Sequence, residues 1–219
     1  MKTRWRGGIR VMPDANSLLV FMIATVTLNL TPGPDMLYVI ARSIGQGRAA
    51  GIASALGITA GCFVHLFAVS FGLASLMRTV PTAYEIVKFT GAGYLIYLGV
   101  RTLTSRRQKN TAASIREARL RTIFTQGVIT NVLNPKVALF FLAFLPQFVR
   151  GDSKVAAQII FLGVLFNTSG TIVNIIVALV ASYTGVQFKN RIGNSSLFRW
   201  LTGGIFIGLG VRLALLQRR

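Results

Sequence analysis

Charged residues are scarce in this chain of 219 residues, and acidic residues are the scarcest of them. Charged side chains make up 13% of the chain, against 53% hydrophobic ones. A soluble domain carries about 25% charged residues because its surface faces water. The shortage excludes a soluble globule of this size, because too little polar surface remains to cover it. It predicts an integral membrane protein whose outer surface faces lipid.

Cysteine and histidine occur once each, as Cys62 and His65. A single cysteine excludes an intrachain disulfide, and two such residues are too few for a structural metal centre. Nucleophilic catalysis needs a nucleophile, a base and a third group that orients the base, which this pair lacks. The sequence therefore predicts neither an enzyme nor a bound metal or cofactor.

Basic residues outnumber acidic ones by 24 to 5, which gives a net charge of +19. In a soluble protein such an excess would indicate a nucleic-acid partner. Here the basic residues lie mostly between apolar stretches, as juxtamembrane charges do, and no basic recognition helix is apparent. We expect the lipid bilayer as a partner and no nucleic acid, and a homo-oligomer is compatible with the sequence.

The chain contains long apolar segments. A helix needs about 20 mostly apolar residues to cross the hydrocarbon core of a bilayer. Six segments meet this requirement, namely 17–41, 49–76, 81–103, 123–149, 155–188 and 195–216. The sequence therefore predicts an all-α integral membrane protein with six transmembrane helices. Gly57-x-x-x-Gly61 and Gly204-x-x-x-Gly208 predict close contacts between these helices.

The longest polar connection, residues 105–122, is strongly basic. By the positive-inside rule this loop is cytoplasmic, and six spans then put both termini outside. The predicted organisation is an N-terminal extension (1–16), a first three-helix repeat (17–104), the basic loop (105–122) and a second three-helix repeat (123–219).

The two sets of three segments match each other at a fixed offset. A shift of 103 positions places Phe21 on Phe124 and Pro32 on Pro135. Because each unit has an odd number of spans, the second inserts upside down relative to the first. Inverted repeats of this kind recur in secondary transporters, where the binding site lies between the repeats near the membrane midplane.

The first segment is interrupted by Pro32, Gly33 and Pro34, followed by Asp35. Prolines remove backbone donors and break helices, and unpaired backbone groups in lipid are costly unless they line a cavity. The break is therefore a candidate substrate site, with Asp35 as a ligand for a substrate ammonium group or as a proton carrier. The alternatives are a structural kink and a helix-capping carboxylate.

The fourth segment carries a second polar interruption, made by Asn131, Asn134, Pro135 and Lys136. A lysine deep in a membrane segment pairs, faces water or contacts a ligand. Lys136 could hold a substrate carboxylate or form an ion pair with Asp35. The alternative is a neutral, packed lysine.

Two further polar residues in apolar segments are candidates for a proton or polar pathway. His65 in the second segment could carry protons, although a hydrogen-bonded core histidine explains it equally simply. Asn174 in the fifth segment lies seven residues after Asn167 on the same helix face, where both could meet a cavity or another helix.

With these residues identified, the chain resembles the LysE/RhtB family of bacterial amino-acid exporters over nearly its whole length. The matching pieces are 31–34, 51–61, Glu85, 88–99, Asn131, 134–136 and 146–148. The resemblance implies export of an amino acid across the inner membrane, energised by the proton gradient. It also implies that the two proline breaks act as paired functional elements. Relatives often carry an acidic residue where this chain has Asn174, which leaves Asp35 or His65 to couple protons here.

The leading hypothesis is a secondary active exporter of amino acids or close analogues that works by alternating access. Asp35 and Lys136 would complement the ammonium and carboxylate of a zwitterionic substrate. One alternative is a non-transporting membrane scaffold whose glycine faces dock another protein. Another is an exporter of a different small solute or of a cation, although metal transport would favour clustered carboxylate, His or Cys ligands.

Overall fold

A computed structural model of the chain describes residues 14–79, 81–104, 117–149, 155–184 and 196–215. Within these ranges every regular element is a helix. The α-helices are α1 (Ala15–Leu30), α2 (Pro34–Thr79), α3 (Pro81–Thr104), α4 (Leu120–Val132), α5 (Pro135–Leu139), α6 (Val155–Thr184) and α7 (Ser196–Leu215). A π-helical turn (Phe140–Phe144) and a 3-10 turn (Leu145–Phe148) follow α5 without a gap.

The break predicted at the two prolines is present between α1 and α2. The first helix starts at the cap of Asp14, whose carboxylate accepts from the Ser17 backbone N–H at 3.2 Å, and it ends at Leu30. Thr31 has extended backbone angles (φ −67°, ψ 123°). The second helix then begins at Pro34, a position where proline costs nothing because the first N–H of a helix has no intrahelical acceptor.

Gly47 divides α2 into two helical stretches. Its backbone angles (φ 81°, ψ −175°) are non-helical and lie in a region that essentially only glycine occupies. The first stretch therefore continues the broken first segment, whereas the second, from residue 48 onward, corresponds to the second apolar segment of the sequence.

The predicted interruption of the fourth segment is also present. The fourth helix ends at Val132 and α5 begins at Pro135. The helical pieces on the two sides of this break are bent by 47° relative to each other. Both proline positions that the repeat offset matches, Pro32 and Pro135, therefore lie at helix breaks.

By length and composition, two parts of the described residues are sufficient to cross a membrane, Pro34–Gly72, which includes the corner at Gly47, and Val155–Thr184. A third is obtained if the bent pair of α4 with α5 and its following turns counts as one span. The first helix is apolar but has only 16 residues. The expectation of an all-helical membrane protein is thus confirmed at this coarser level.

Helix packing holds together the helices that contain the two breaks. The second helix packs mainly against α4 and α6, and α3 packs mainly against α7. A Cβ on Gly127 would lie 2.8 Å from the Ser54 carbonyl oxygen, and one on Gly61 would lie 2.9 Å from the Asn131 Cβ. These glycines let α2 and α4 approach closely, as the Gly57-x-x-x-Gly61 pattern predicts.

The corresponding prediction for Gly204 and Gly208 is wrong. Added Cβ atoms at both positions would meet nothing within 4 Å. The contact with α3 is made by the neighbouring Gly203, where a Cβ would lie 2.9 Å from the Gly99 carbonyl oxygen. Spacing of glycines along a helix does not fix which face meets the partner, and here the contact face is rotated by one residue.

Some sequence-based predictions fall on parts of the chain outside the described ranges. These are residues 1–13 of the predicted extension, residues 105–116 of the basic loop and the last residues of the fifth and sixth apolar segments. The side chains of Glu85 and Lys88, although their backbone is helical, also lie outside the described part.

Candidate functional site at the two helix breaks

Asp35 and Asn131 connect the two breaks directly. The Asn131 Nδ2 atom donates to Asp35 Oδ2 at 2.8 Å, across 96 positions of sequence. Both side chains are buried, with 8% and 2% of their surfaces exposed. The contact therefore holds the first turn of α2 against the last turn of α4.

Local sequence explains the placement of each member of this junction. Asp35 lies in the first turn of α2, where the partial positive charge of the helix N-terminus favours a carboxylate. Asn134 caps α5, because its Oδ1 atom accepts from the Lys136 backbone N–H at 3.0 Å. Pro135 takes the first helical position of α5, which the fixed φ of proline suits.

The Lys136 side chain leaves its own helix and reaches the end of α1. Its Nζ atom donates to the carbonyl oxygens of Leu28 at 3.1 Å and Thr31 at 2.9 Å. The sequence left open an ion pair between Lys136 and Asp35. This pair is not formed in the described structure, because the ammonium group donates to backbone carbonyls and the carboxylate accepts from Asn131. Asp35 and Lys136 still interact electrostatically over a longer distance.

Gly33 lies against the same lysine. A Cβ at this position would be 3.1 Å from Lys136 Nζ and 3.3 Å from its Cε, which is closer than ordinary van der Waals contact. The glycine between the two prolines is thus explained by the path of the Lys136 side chain.

His65 contacts the second break through the backbone. Its Nε2 atom is 3.0 Å from the Asn131 carbonyl oxygen, one of the last carbonyls of α4. The imidazole ring also stacks on Phe141, with 6.1 Å between ring centroids and an interplanar angle of 23°. His65 therefore belongs to the same junction.

Asn174 is buried on α6 and forms no hydrogen bond with the described residues at the two breaks. Its partner in the sequence argument, Asn167, donates to the Thr59 carbonyl oxygen at 3.2 Å. Thr59 and Thr171 hydroxyls pair at 2.7 Å in the same interface. These contacts make Asn167 part of a polar seam between α2 and α6.

Three buried polar atoms at the junction have no hydrogen-bond partner in the described structure. They are Asp35 Oδ1, Asn131 Oδ1 and Asn134 Nδ2. The Asn134 side chain is close enough to interact with the Asp35 carboxylate, but no hydrogen bond of good geometry joins the two. Buried polar atoms are seldom left unpaired, and each such case calls for a physical explanation.

Sequence reasoning missed a polar cluster at the end of the protein where α4 begins. The Tyr38 hydroxyl donates to the Ile123 carbonyl oxygen at 2.8 Å. Arg42 Nη2 donates to Gln126 Oε1 at 2.7 Å, and Arg42 Nη1 donates to Gln46 Oε1 at the same distance. We call Tyr38, Arg42, Gln46 and Gln126 the polar latch, because it joins the first stretch of α2 to α4.

The opposite end of the junction is apolar. Phe21 of α1 meets Phe148 edge to face, with ring centroids 5.3 Å apart. Phe140 stacks on Phe166 of α6 at 4.4 Å, and Phe144 completes the packing. These five side chains form the aromatic cluster.

The described residues contain no group of three His, Cys, Asp or Glu side chains that could hold a metal ion. The chemistry available at the junction is hydrogen bonding, with one carboxylate, two carboxamides, one ammonium group and the imidazole of His65. Such a set can bind a small polar or zwitterionic molecule, and it offers no nucleophile paired with a base.

Comparisons with known proteins identify a family of translocators. The family profile of the LysE type translocator matches residues 26–217. A leucine efflux protein of Salmonella typhimurium is 33% identical over 213 residues, which cover 90% of this chain and 94% of that protein.

Two further relatives are described only as membrane proteins. One, from Pseudomonas aeruginosa, is 32% identical and covers 89% of this chain and 93% of its own length. The other, from Bacillus subtilis, is 26% identical and covers 91% and 99%. No solved structure matches the chain. On the family match and the extent of these similarities, the chain belongs to the LysE type translocator family.

Proposed function

We propose that this protein is a secondary active exporter that moves an amino acid or a close analogue out of the bacterial cytoplasm. The proposal rests mainly on one observation, the three unpartnered polar atoms where the two helix breaks meet. Membership of the translocator family supports it independently.

A free amino acid carries the donors and acceptors that would pair with these three atoms. Its ammonium group carries three donors, which suit the acceptors Asp35 Oδ1 and Asn131 Oδ1. Its carboxylate carries only acceptors, which suit the donor Asn134 Nδ2. Lys136 adds a positive charge at the same junction and balances the charge of Asp35. The prolines 32, 34 and 135 and Gly33 shape the breaks that hold these groups.

Leucine is the first substrate to test. Several relatives that are 33% identical to this chain over 90% of its length carry the name leucine efflux protein. An aliphatic side chain also suits an apolar neighbourhood, since Phe141 stacks on His65 and contacts the buried Phe140 and Phe166.

We further propose six membrane spans arranged as two inverted three-helix repeats. The first repeat comprises residues 17–104 and the second comprises residues 123–219, with the basic loop 105–122 on the cytoplasmic side of the inner membrane. Support comes from the matched breaks at Pro32 and Pro135 and from the pairing of α3 with α7, the last helix of each repeat.

Alternating access requires a gate on each side of the site. The polar latch and the aromatic cluster are suited to this role, because they lie at opposite ends of the junction. The Arg42–Gln126 hydrogen bond and the Phe21–Phe148 contact are the contacts that would have to break for the two gates to open. We propose that they open in turn during export.

Proton coupling is the energy source that the family resemblance implies. Asp35 and His65 are the titratable groups of the junction besides Lys136, and Asn174 would extend a polar path along α6. None of these groups forms a metal-binding cluster within the described residues.

Transport into inside-out membrane vesicles tests the proposal. Vesicles containing the protein should accumulate radiolabelled leucine when a pH gradient is imposed, and a protonophore should abolish the accumulation. Asp35→Asn removes the charge that would hold the substrate ammonium, and it should lower the initial rate at least about tenfold, since 1.4 kcal/mol in binding is a factor of ten.

The matched control is Glu117→Gln, which also neutralises a carboxylate but at an exposed position before α4. Because Glu117 lies outside the junction, this variant should transport at the rate of the unmodified protein. Equal rates in both variants would refute the role of Asp35. The same assay is run on a panel of amino acids from homoserine to lysine. If none is transported, amino-acid export is refuted, and a non-transporting scaffold or an exporter of another solute is favoured.

A further inference from the structure

The ammonium group of Lys136 occupies an unusual position at the carbonyl end of α1. The last four carbonyls of a helix lack the donors of a following turn, and their partial negative charge favours a cation. In α1 the Thr31 backbone N–H donates to the Leu28 carbonyl oxygen at 3.1 Å, and this oxygen can accept a second hydrogen bond. The last turn of α1 carries no basic residue. Lys136, which is 105 positions from Thr31, supplies that cation from the other break.

The position of Lys136 on its own helix is unfavourable for a cation. It is the second residue of α5, at the end where a helix carries its partial positive charge. The side chain therefore gains nothing electrostatically from α5. Besides the longer-range attraction to Asp35, its electrostatic benefit comes from the Leu28 and Thr31 carbonyl oxygens, at 3.1 and 2.9 Å.

Several features of the first break fit this arrangement. The extended backbone of Thr31 brings its carbonyl oxygen beside that of Leu28, so that both accept from one nitrogen atom. Gly33 leaves the space that the lysine side chain passes through. Interrupted helices whose freed carbonyls face inward are the places where secondary transporters bind a coupling cation.

We propose that the Leu28 and Thr31 carbonyl oxygens at the end of α1 form a binding site for a monovalent cation, which we call the seat. The ammonium group of Lys136, covalently tethered to the chain, occupies this site. Lys136 is then a positioning residue that joins the two breaks, and the substrate is held by the remaining polar groups of the junction. As far as transport is concerned, this inference rests on the proposed function, and it predicts a transporter that needs no sodium.

Removing the Lys136 side chain while leaving the α1 carbonyl oxygens in place gives a direct test. Lys136→Ala deletes four side-chain heavy atoms, and n-propylammonium supplies the same four as a free cation. Lys136→Met is the matched control, because an apolar side chain of similar length occupies the space. n-Propanol is the control for charge, because it has the same size without the ammonium group.

Thermal unfolding of the purified protein provides a readout that needs no substrate. Cys62 is the single cysteine of the chain and is buried, so a thiol-reactive fluorogenic dye reports its exposure on unfolding. At about ten times its Kd, n-propylammonium should raise the midpoint of Lys136→Ala by roughly 3–6 °C. Lys136→Met and the unmodified protein should shift by less than about 1 °C, and n-propanol should shift none of them.

Equal shifts in all three proteins, or no shift in Lys136→Ala, would overturn the proposal. If Lys136→Ala does not survive extraction, the same comparison is made in native membranes with a membrane-permeant maleimide. There n-propylammonium should slow the labelling of Cys62 in Lys136→Ala alone, and unchanged labelling would count against the seat.

Transport adds a second readout. Leucine transport by the unmodified protein should be unchanged when choline replaces sodium, and n-propylammonium should restore part of the rate in Lys136→Ala but not in Lys136→Met. A loss of transport in choline would contradict the inference. Absence of amino-acid transport in the unmodified protein would refute the proposed function, whereas the unfolding experiment would still decide whether the seat exists.

Discussion

Asn131 donates its side-chain amide to the Asp35 carboxylate at 2.8 Å, and this hydrogen bond joins two helix breaks that lie far apart in the sequence. One carboxylate oxygen is thereby satisfied, while the other has no partner in the described structure. Both residues are buried, so the pair lies inside the protein, and only part of the hydrogen-bonding capacity of the carboxylate is used. The proposed function assigns the unpartnered oxygen to a third polar group, the substrate ammonium.

Replacing Asn131 tests this relationship. Asn131→Ala leaves the buried Asp35 Oδ2 atom without its donor, and the cost of an unsatisfied buried group is about 1–3 kcal/mol, or more for a charged one. We expect a lower thermal midpoint and a loss of leucine transport. The control is Thr130→Ala, because the Thr130 hydroxyl bonds only to the Gln126 carbonyl within its own helix. Similar effects of the two variants on transport would contradict a specific role of Asn131.

Gly33 should tolerate no larger residue. In Gly33→Ala the new methyl group lies 3.1 Å from Lys136 Nζ, so the end of the lysine side chain must shift by a few tenths of an ångström, which weakens its hydrogen bonds to the α1 carbonyls. Overpacking of this kind costs about 1–3 kcal/mol, which we expect as a lower unfolding midpoint and slower transport. Gly93→Ala is the control, since nothing lies within 4 Å of a Cβ there. An unchanged midpoint in Gly33→Ala would show that the lysine side chain adapts freely.

Gly47 sets the corner within α2 by its backbone conformation. Its φ of 81° and ψ of −175° lie in a region that costs a residue with a side chain about 1–3 kcal/mol. Space is not the obstacle, because a Cβ would meet nothing within 4 Å. Gly47→Ala should therefore lower the free energy of unfolding by that amount, measured by chemical denaturation in detergent. Gly45→Ala, at an exposed helical position two residues earlier, should be neutral or slightly stabilising, and equal losses would exclude backbone strain as the cause.

Local chemistry explains which structural predictions succeeded. Proline at 32, 34 and 135 breaks a helix wherever it is placed in the interior, because it lacks a donor and clashes with the preceding turn. The breaks between α1 and α2 and between α4 and α5 follow from this. The glycine contact at Gly57 and Gly61 was also predicted, whereas the contact expected at Gly204 and Gly208 is made by Gly203. Helix rotation depends on the whole packing face and not on the spacing of two residues.

The sequence by itself determined that the chain is helical, apolar and broken at two matched positions, because composition and proline chemistry act locally. Its family membership also follows from sequence alone. The tertiary structure decided which groups meet at the breaks. Asp35 bonds to Asn131, and Lys136 bonds to the end of α1. Two opposite charges near two breaks are compatible with several pairings, and only the relative positions of the helices select one of them. The polar latch is likewise a product of packing, since Arg42 and Gln126 are 84 positions apart and meet only because α2 lies against α4.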